Sequence, residues 1–202
     1  MSFYGTCIVP HLVHLAMRNK RLLPYRERTI SAADGRVLEI GIGSGLNLPF
    51  YSGGVSEVIG LEPASRLLSM AGKQSRRVPV ALVEGSAEAI PIESGSIDTV
   101  VTTWTLCTIP AVAQALAEMR RVLKPGGQLL FVEHGLAPDA GVRKWQDWLT
   151  PAWKRIGGGC HLNRPIRSLI EQNGFRLTRL ETGYMPGPKP MAFLYQGSAG
   201  PG

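Results

Sequence analysis

The chain has 202 residues, of which 44% are hydrophobic and 18% are charged, a composition typical of one folded globular domain. Its formal net charge is +7, but the basic residues are scattered along the chain, so a nucleic-acid partner is not predicted. The cysteines, Cys7, Cys107 and Cys160, are odd in number and widely spaced, which predicts neither a disulfide scaffold nor a metal site. This pattern fits a reducing, cytoplasmic setting.

The N-terminal cap, residues 1–30, is predicted to form one or two helices that are broken near Pro24. Apolar residues recur in it at helical spacing and give one face, formed by Ile8, Leu12, Leu15 and Ala16. Two interpretations stay open: this helix packs on the domain or covers its ligand, or it lies in a membrane interface beside the basic run at 18–28. No stretch approaches the roughly 20 apolar residues of a membrane span, and the basic leader of a secretory signal is not present.

Strands and helices alternate after the cap. Short runs of apolar and β-branched residues predict five strands, at 37–40, 57–62, 80–83, 97–103 and 128–133. The strongest helix is predicted at 111–123, where an alanine-rich stretch ends at Lys124-Pro-Gly-Gly127. This repeated order predicts a doubly wound α/β sheet with helices on both faces, within a single domain spanning 1–202.

The C-terminal part of the chain begins with a segment of different character. Residues 137–165 hold three of the four tryptophans and are expected to form an inserted segment on the substrate side. A helix is predicted at 164–173, and two alternating runs at 175–182 and 191–196 predict a closing hairpin. The last six residues, 197–202, are predicted to be a loose tail.

The loop after the first predicted strand carries glycines at 41, 43 and 45. In open α/β sheets, the carboxyl end of the first strand is where nucleotide-like ligands bind. A dinucleotide loop would place a third glycine at position 46, where this chain has Leu46, and no Walker motif follows. Glu62 ends the next strand and is placed to accept hydrogen bonds from both hydroxyls of a ribose. The ligand therefore contains a ribose but does not need a phosphate-binding loop, and a further acid, Glu39, lies near the glycine loop. Together these features indicate S-adenosylmethionine.

Four motifs in this order resemble class I S-adenosylmethionine-dependent methyltransferases. They are Leu-Glu-Ile-Gly-Ile-Gly-Ser-Gly at 38–45, Ile-Gly-Leu-Glu-Pro at 59–63, Glu-Ala-Ile-Pro before Ile-Asp-Thr-Val-Val, and Arg-Arg-Val-Leu-Lys-Pro-Gly-Gly at 120–127. The resemblance implies a Rossmann-like, seven-stranded sheet that is mostly parallel, with an antiparallel final strand. It also implies S-adenosyl-L-methionine as the cofactor.

The resemblance also indicates where the cofactor lies. Its amino-acid end is expected against the glycine loop, and its adenine near Ser86-Ala87-Glu88. The residues expected to contact it are Glu39, Gly41, Gly43, Gly45, Asn47, Glu62, Pro63, Ser86, Ala87, Glu88, Thr103 and Leu106.

A narrower resemblance covers most of the C-terminal half. Its motifs are Thr105-Leu-Cys-Thr-Ile, Phe131-Val-Glu-His134, Trp145-Gln, Pro151-Ala-Trp153 and Gly159-Cys-His-Leu-Asn-Arg164. They are similar to the thiol S-methyltransferase branch of the methyltransferase-like proteins. That resemblance implies a small-molecule thiol as the methyl acceptor, and peripheral membrane contact through the N-terminal helix.

Methyl transfer to a thiolate joins a negative sulfur to a positive sulfonium, so a low-dielectric pocket favours it. Trp145, Trp148 and Trp153 are expected to wall off water from the acceptor, with ordinary core packing as an equal alternative. His134, at the end of the fifth strand, is the expected catalytic base because the unperturbed pKa of histidine lies near neutrality. The alternative is a structural, hydrogen-bonded histidine.

Cys160 and Arg164 complete the residues expected to bind the acceptor, although a small hydrophobe and a helix cap are ordinary roles for these types. His11 and His14 have a spacing compatible with metal binding, but no third ligand lies nearby in the sequence, so no metal is predicted. Beyond the shared cofactor, three functions stay open. They are methylation of a small thiol, methylation of a lipid or quinone-type acceptor at a membrane surface, and cofactor binding without turnover.

Overall fold

A seven-stranded mixed sheet forms the centre of the structure, a computed structural model that describes residues 9–202. The strands are β1 (Gly35–Ile40), β2 (Val55–Glu62), β3 (Val80–Glu84), β4 (Ile97–Thr103), β5 (Leu123–His134), β6 (Phe175–Tyr184) and β7 (Phe193–Pro201). Their order across the sheet is β3-β2-β1-β4-β5-β7-β6. Strands β1 to β5 pair in parallel, while β7 runs antiparallel between β5 and β6. The predicted doubly wound fold, with its antiparallel final strand, is confirmed.

Helices cover both faces of this sheet. They are α1 (Val9–Met17), α2 (Leu23–Ile30), α3 (Ser65–Ala71), α4 (Val112–Val122), α5 (Ala140–Ile156), α6 (Ile166–Gln172) and α7 (Lys189–Ala192). The core on one face includes residues of α4 and α6, and the core on the other includes residues of α2 and α3. No helix in the described part of the chain has the length and apolarity needed to cross a bilayer.

The apolar run of β1 explains why this strand lies at the centre. Val37 belongs to the core on one face and Leu38 to the core on the other, and both are fully buried. Burying a side chain of this size contributes about 1.5–3 kcal/mol. The chain builds the sheet outward from β1 in both directions, first to β2 and β3 on one side and then to β4 and β5 on the other. This change of direction opens a crevice at the carboxyl ends of β1 and β4.

The N-terminal helices differ from the prediction in two ways. The break between them falls at residues 18–22, and Pro24 lies in the first turn of α2, where a missing backbone N–H is tolerated. The apolar face predicted for packing or capping is also wrong in part, since Leu12 and Leu15 are 48% and 70% exposed. The inward face of α1 is formed instead by Val9, Pro10, Val13, His14 and Met17. Ile8 and Cys7 lie outside the described residues.

The predicted loose tail at 197–202 is wrong, because β7 continues to Pro201. Residues 197–201 pair with β6, and the first part of that stretch pairs with β5 as well. The absence of a side chain at Gly197 lets the strands approach closely, because a Cβ there would lie 2.1 Å from the carbonyl oxygen of Arg179 and 3.1 Å from the ring of Phe131. The stretch resembles a flexible tail in composition, but its glycines permit close strand contact.

Candidate active site

A cavity of about 580 Å³ lies at the carboxyl ends of the central strands. Its size is within the range of small-molecule sites, about 300–1,000 Å³. Eight of the residues expected to contact the cofactor line it: Gly41, Gly43, Glu62, Pro63, Ser86, Ala87, Glu88 and Thr103. The sheet therefore brings together residues from four separate sequence motifs.

The glycine loop forms one wall of this cavity. Gly41, Gly43 and Gly45 all have positive φ values, which side chains rarely adopt. A Cβ at Gly41 would also lie 2.5 Å from the side chain of Thr105. Gly45 does not line the cavity but packs against Ala71, where an added Cβ would lie 3.0 Å from the Cα atom. The backbone can therefore be approached closely only because these positions are glycines.

Glu62 holds the loop from the end of β2. Its carboxylate accepts hydrogen bonds from the backbone N–H of Gly43 at 3.1 Å and of Ala64 at 3.0 Å. Burial raises the pKa of Glu62, and these two bonds oppose that rise. Glu62 is thus both a wall of the cavity and a clamp on the loop.

A buried polar network supports the loop from below. Glu39 accepts hydrogen bonds from Asn47 at 2.6 Å and from the hydroxyl of Tyr51 at 2.8 Å, and Asn47 also donates to Thr103 at 3.0 Å. Burial raises the pKa of Glu39 to about 7. Neither Glu39 nor Asn47 lines the cavity, so the structure places both as supports of the loop and not at the expected contact positions.

Arg26 extends this network to the cavity wall. Its guanidinium donates to the side-chain oxygen of Asn47 and to the carbonyl of Met17, and it lies 5.1 Å from the ring centroid of Trp104. Arg26 is 3% exposed, and burial lowers its pKa. Arg26 and Trp104 both line the cavity, and the sequence analysis missed both. Trp104 has a φ of 52°, a strained conformation that a tryptophan at a strand end does not reveal in sequence.

In the loop expected to border the adenine, Ser86 and Glu88 form a local hydrogen-bonded pair. The Ser86 hydroxyl donates to Glu88 at 2.6 Å, and Glu88 also accepts from the backbone of Ala111 at 2.8 Å. These bonds lower the pKa of Glu88. The loop that carries both residues is therefore tied to the start of α4.

Helix α1 and the glycines 157–159 form another part of the cavity wall. His14 lies 2.6 Å from the hydroxyl of Ser44 in the glycine loop, so α1 is fastened across the cavity. Burial lowers the pKa of His14. Gly158 contacts the helix, since a Cβ there would lie 3.6 Å from Val9. Sequence reasoning treated His14 as an ordinary helix residue, and only the fold shows its contact with the loop.

Behind this wall, the fold brings Cys107, His134 and Cys160 together. One ligand atom from each lies within 4.8 Å of the other two, and the Cys160 sulfur is 3.1 Å from Nε2 of His134. The hydrogen bond with Cys107 and the neighbouring His134 lower the pKa of Cys160. Burial alone would lower the pKa of His134, but the hydrogen bond with Cys160 and the negative charges of Cys160 and Glu133 together outweigh it, so the pKa is raised. His134 does not line the cavity, so the geometry does not favour the expected role as a direct base.

The other residues expected near the acceptor are not in the cavity wall either. Arg164 is buried, and its guanidinium donates a hydrogen bond to the carbonyl of Leu106. Its second nitrogen lies 3.2 Å from Nδ1 of His161. Arg164 thus joins the turn after β4 to the chain that follows α5. Leu106, which was expected to contact the cofactor, does not line the cavity either. The side chain of Trp153 lies against Gly157, which lines the cavity.

The prediction that Trp145 and Trp148 enclose the acceptor is wrong. They are 58% and 71% exposed, and their rings contact each other at 5.6 Å on the outer face of α5. The helical period turns Gln146 inward instead. Its amide donates to the carbonyls of Gly135 and Leu162 at 3.0 and 2.9 Å, so a glutamine attaches α5 to the domain.

The comparisons with known proteins agree with this architecture. A family described as a methyltransferase domain matches residues 38–131. The solved structure of an S-adenosylmethionine-dependent methyltransferase from Mesorhizobium loti superposes with a TM-score of 0.67 at 17% identity, covering 90% of this chain and 98% of that one. Fold, glycine loop and family together define a class I S-adenosylmethionine-dependent methyltransferase, whose cofactor is S-adenosyl-L-methionine.

Curated relatives define the family more narrowly. Thiol S-methyltransferase TMT1B from Homo sapiens is 33% identical over 183 residues, which cover 87% of this chain and 73% of TMT1B. A phosphatidylethanolamine N-methyltransferase from Cereibacter sphaeroides is 34% identical over 116 residues, covering 54% of this chain and 57% of that protein. The chain belongs to the methyltransferase family that includes TMT1B.

Proposed function

We propose that this enzyme transfers the methyl group of S-adenosylmethionine to the sulfur of a small thiol. The observation that carries the proposal is the likeness to TMT1B, a thiol S-methyltransferase. Because this likeness covers 87% of the chain, it extends over both the glycine loop and the segment 157–164, whose first three residues line the cavity. A likeness confined to the donor half would leave the acceptor open.

Eight of the residues that the sequence analysis assigned to S-adenosylmethionine line the cavity, and their chemistry suits this cofactor. The glycine loop takes the amino-acid end, the carboxylate of Glu62 binds the ribose hydroxyls, and the loop of Ser86 and Glu88 borders the adenine. Arg26 adds a buried cation on the same wall, and we assign it to the carboxylate of the methionine part.

The chemistry asks little of the protein beyond alignment and exclusion of water. S-adenosylmethionine supplies an electrophilic methyl group on a sulfonium. The acceptor thiol loses its proton to solvent, its sulfur forms a bond to that methyl carbon as the sulfonium–carbon bond breaks, and the products are a thioether and S-adenosylhomocysteine. Helix α1 and the glycines 157–159 enclose the cavity, which lowers its dielectric and favours union of opposite charges. Alignment of this kind contributes roughly 7–11 kcal/mol at best.

Turnover with a panel of small thiols, amines, phenols and phospholipids tests the acceptor class. We expect S-adenosylhomocysteine to be released with thiols at a rate at least tenfold above that with each of the other classes. Release with amines or phospholipids alone would contradict the thiol assignment.

A second candidate function, methylation of a lipid at a membrane surface, is favoured by a specific surface feature. Helix α5 exposes an apolar stripe that comprises Trp145, Trp148, Ala152 and Ile156. Helix α1 exposes two further apolar residues, Leu12 and Leu15. Basic residues, including Lys144 and Lys154, lie on helix α5. The relative from Cereibacter sphaeroides is a phosphatidylethanolamine N-methyltransferase.

Flotation with vesicles that contain anionic lipid or phosphatidylethanolamine separates membrane contact from lipid methylation. If the protein contacts the membrane but methylates a thiol, it should float with the vesicles while the phosphatidylethanolamine stays unmethylated. Methylated lipid in the floated fraction would favour the second candidate. The variant with Trp145→Ser and Trp148→Ser tests whether the stripe is the contact.

A further inference from the structure

Two thiols and one imidazole meet directly behind the cavity wall. Cys107 lies in the turn after β4, His134 ends β5, and Cys160 follows α5. Cys107 and Cys160 are buried at 1% and 7% exposure. The methyl transfer described above assigns these three side chains no contact with the donor.

We infer that Cys107, His134 and Cys160 form a binding site for one zinc ion, with the fourth coordination position open to the acceptor sulfur. Cysteine and histidine are the preferred ligands of zinc, and sites with three protein ligands keep a fourth position for water or substrate. The inference about the metal stands on the cluster alone. The inference about the fourth position rests on the proposed thiol acceptor.

The distances fit a tetrahedral ion. Zinc lies about 2.3 Å from cysteine sulfur and about 2.0 Å from histidine nitrogen, so a sulfur and a nitrogen on one ion are about 3.5 Å apart. The Cys160 sulfur and Nε2 of His134 are 3.1 Å apart, which leaves a few tenths of an ångström for adjustment. The three ligand atoms all lie within 4.8 Å of one another. Within residues 9–202 the cluster comprises these three ligands and no fourth.

The charges around the cluster also suit a metal that binds a thiolate. Two cysteine thiolates neutralise a divalent cation, so a third thiolate from the acceptor leaves one negative charge. Arg164 is a buried cation beside the cluster: it bonds the carbonyl of Leu106, which precedes Cys107, and contacts His161, which follows Cys160. Its charge offsets the third thiolate, which otherwise would be costly to bury.

The cluster adjoins the cavity on the acceptor side. Thr108 and Gly159 line the cavity, and they are the immediate neighbours of Cys107 and Cys160. An acceptor thiol would replace water on the ion and release its proton to solvent, so that its sulfur is held as a thiolate beside the donor. The methyl–sulfur bond then forms as described, and the thioether, a weaker ligand, leaves.

Zinc content tests the site without any acceptor. We expect about one zinc per chain after purification under reducing conditions and dialysis against a buffered micromolar concentration of free zinc. Cys107→Ser, Cys160→Ser and His134→Ala should each weaken zinc binding by at least tenfold. The matched control His11→Gln changes a histidine outside the cluster and should keep wild-type zinc. Less than a tenth of an equivalent in the wild type, or equal content in all variants, would overturn the site.

Cobalt substitution supplies a readout that does not depend on the folding of any variant. Cobalt(II) bound by two thiolates and an imidazole should give a sulfur-to-metal charge-transfer band and the intense visible bands of a tetrahedral site. Addition of a small thiol should shift these bands, and an unchanged spectrum would overturn the open fourth position. A bound metal in an enzyme that methylates no thiol would overturn the proposed function but not the metal site, so the two failures are distinguishable.

Discussion

The two sides of the cavity are built in different ways. On the side that we assign to the methyl donor, residues that follow one another in the chain, from Glu39 to Asn47, form the loop and its support, and β2 adds Glu62 next to them. On the side that we assign to the acceptor, α1, the turn after β4 and the chain around Cys160 meet from distant parts of the sequence. The donor site is therefore a local motif held by backbone, whereas the acceptor side depends on tertiary packing. Variants should accordingly separate donor affinity from acceptor chemistry.

The largest effect is expected from Arg26→Met, which removes the buried cation under the donor side. The substitution leaves Glu39 without a compensating positive charge, and it leaves the side-chain oxygen of Asn47 without its hydrogen-bond donor. Loss of one partner from a buried charge network costs about 3 kcal/mol or more, so the free energy of unfolding should fall by that amount in denaturant titration. Arg28→Met is the matched control, because Arg28 forms an exposed ion pair with Glu181 that is worth less than about 1 kcal/mol. Equal losses in both variants would contradict the buried network.

Glu62→Ala should nearly abolish donor binding. The change removes the proposed ribose acceptor and also releases the backbone of Gly43 and Ala64. Charge-assisted hydrogen bonds contribute about 1.5–3 kcal/mol each, so calorimetry should show an affinity for S-adenosylmethionine reduced at least about 100-fold. Glu84→Ala changes the exposed acid that pairs with Glu62 in register on β3 and should leave the affinity unchanged. An unchanged affinity in Glu62→Ala would remove the ribose assignment.

The pH dependence of stability should reveal Glu39. Burial raises its pKa to about 7, above the value of about 4.3 for an unfolded glutamate. Between these values the folded state holds the proton more tightly, so the free energy of unfolding falls as the pH rises through this window. Glu39→Gln removes this contribution, and the decrease between pH 5 and pH 7.5 should be smaller by about 2 kcal/mol in the variant. A variant with the full wild-type decrease would show that Glu39 does not cause it.

The smallest effect is expected from Ser44→Ala, at the contact between helix α1 and the glycine loop. Ser44→Ala removes the hydroxyl that contacts His14 and so loosens α1 from the glycine loop. A single hydrogen bond contributes about 1 kcal/mol, so the donor should dissociate about fivefold faster in stopped-flow measurements. Ser69→Ala, on the exposed surface of α3, serves as the control. An unchanged dissociation rate in Ser44→Ala, or an equal increase in the control, would argue against α1 as a cover.

The sequence revealed the sheet and the donor loop because both have short-range signals. Apolar runs located the strands, and the glycines with Leu46 and Glu62 identified the cofactor. The direct contacts expected from Glu39 and Asn47 were not found in the cavity wall, because motif spacing does not show whether a side chain points up or down from a loop.

The acceptor side could be predicted only in part. Trp145 and Trp148 were expected inside, but a polar residue between them, Gln146, satisfies three carbonyls and turns the tryptophans outward. The cluster of Cys107, His134 and Cys160 escaped spacing rules, because its members lie 27 and 26 positions apart in the chain. Such a cluster is visible only once the sheet has placed the strand ends together.

The position of the new methyl group on an acceptor with both a thiol and an amine tests the proposed reaction most directly. A small aminothiol offers both nucleophiles in one molecule, so affinity for the acceptor is the same for either outcome. We expect mass spectrometry of the product to place the methyl group on sulfur, with S-adenosylhomocysteine formed in equal amount. A methyl group on nitrogen would contradict the assignment of this enzyme as a thiol methyltransferase.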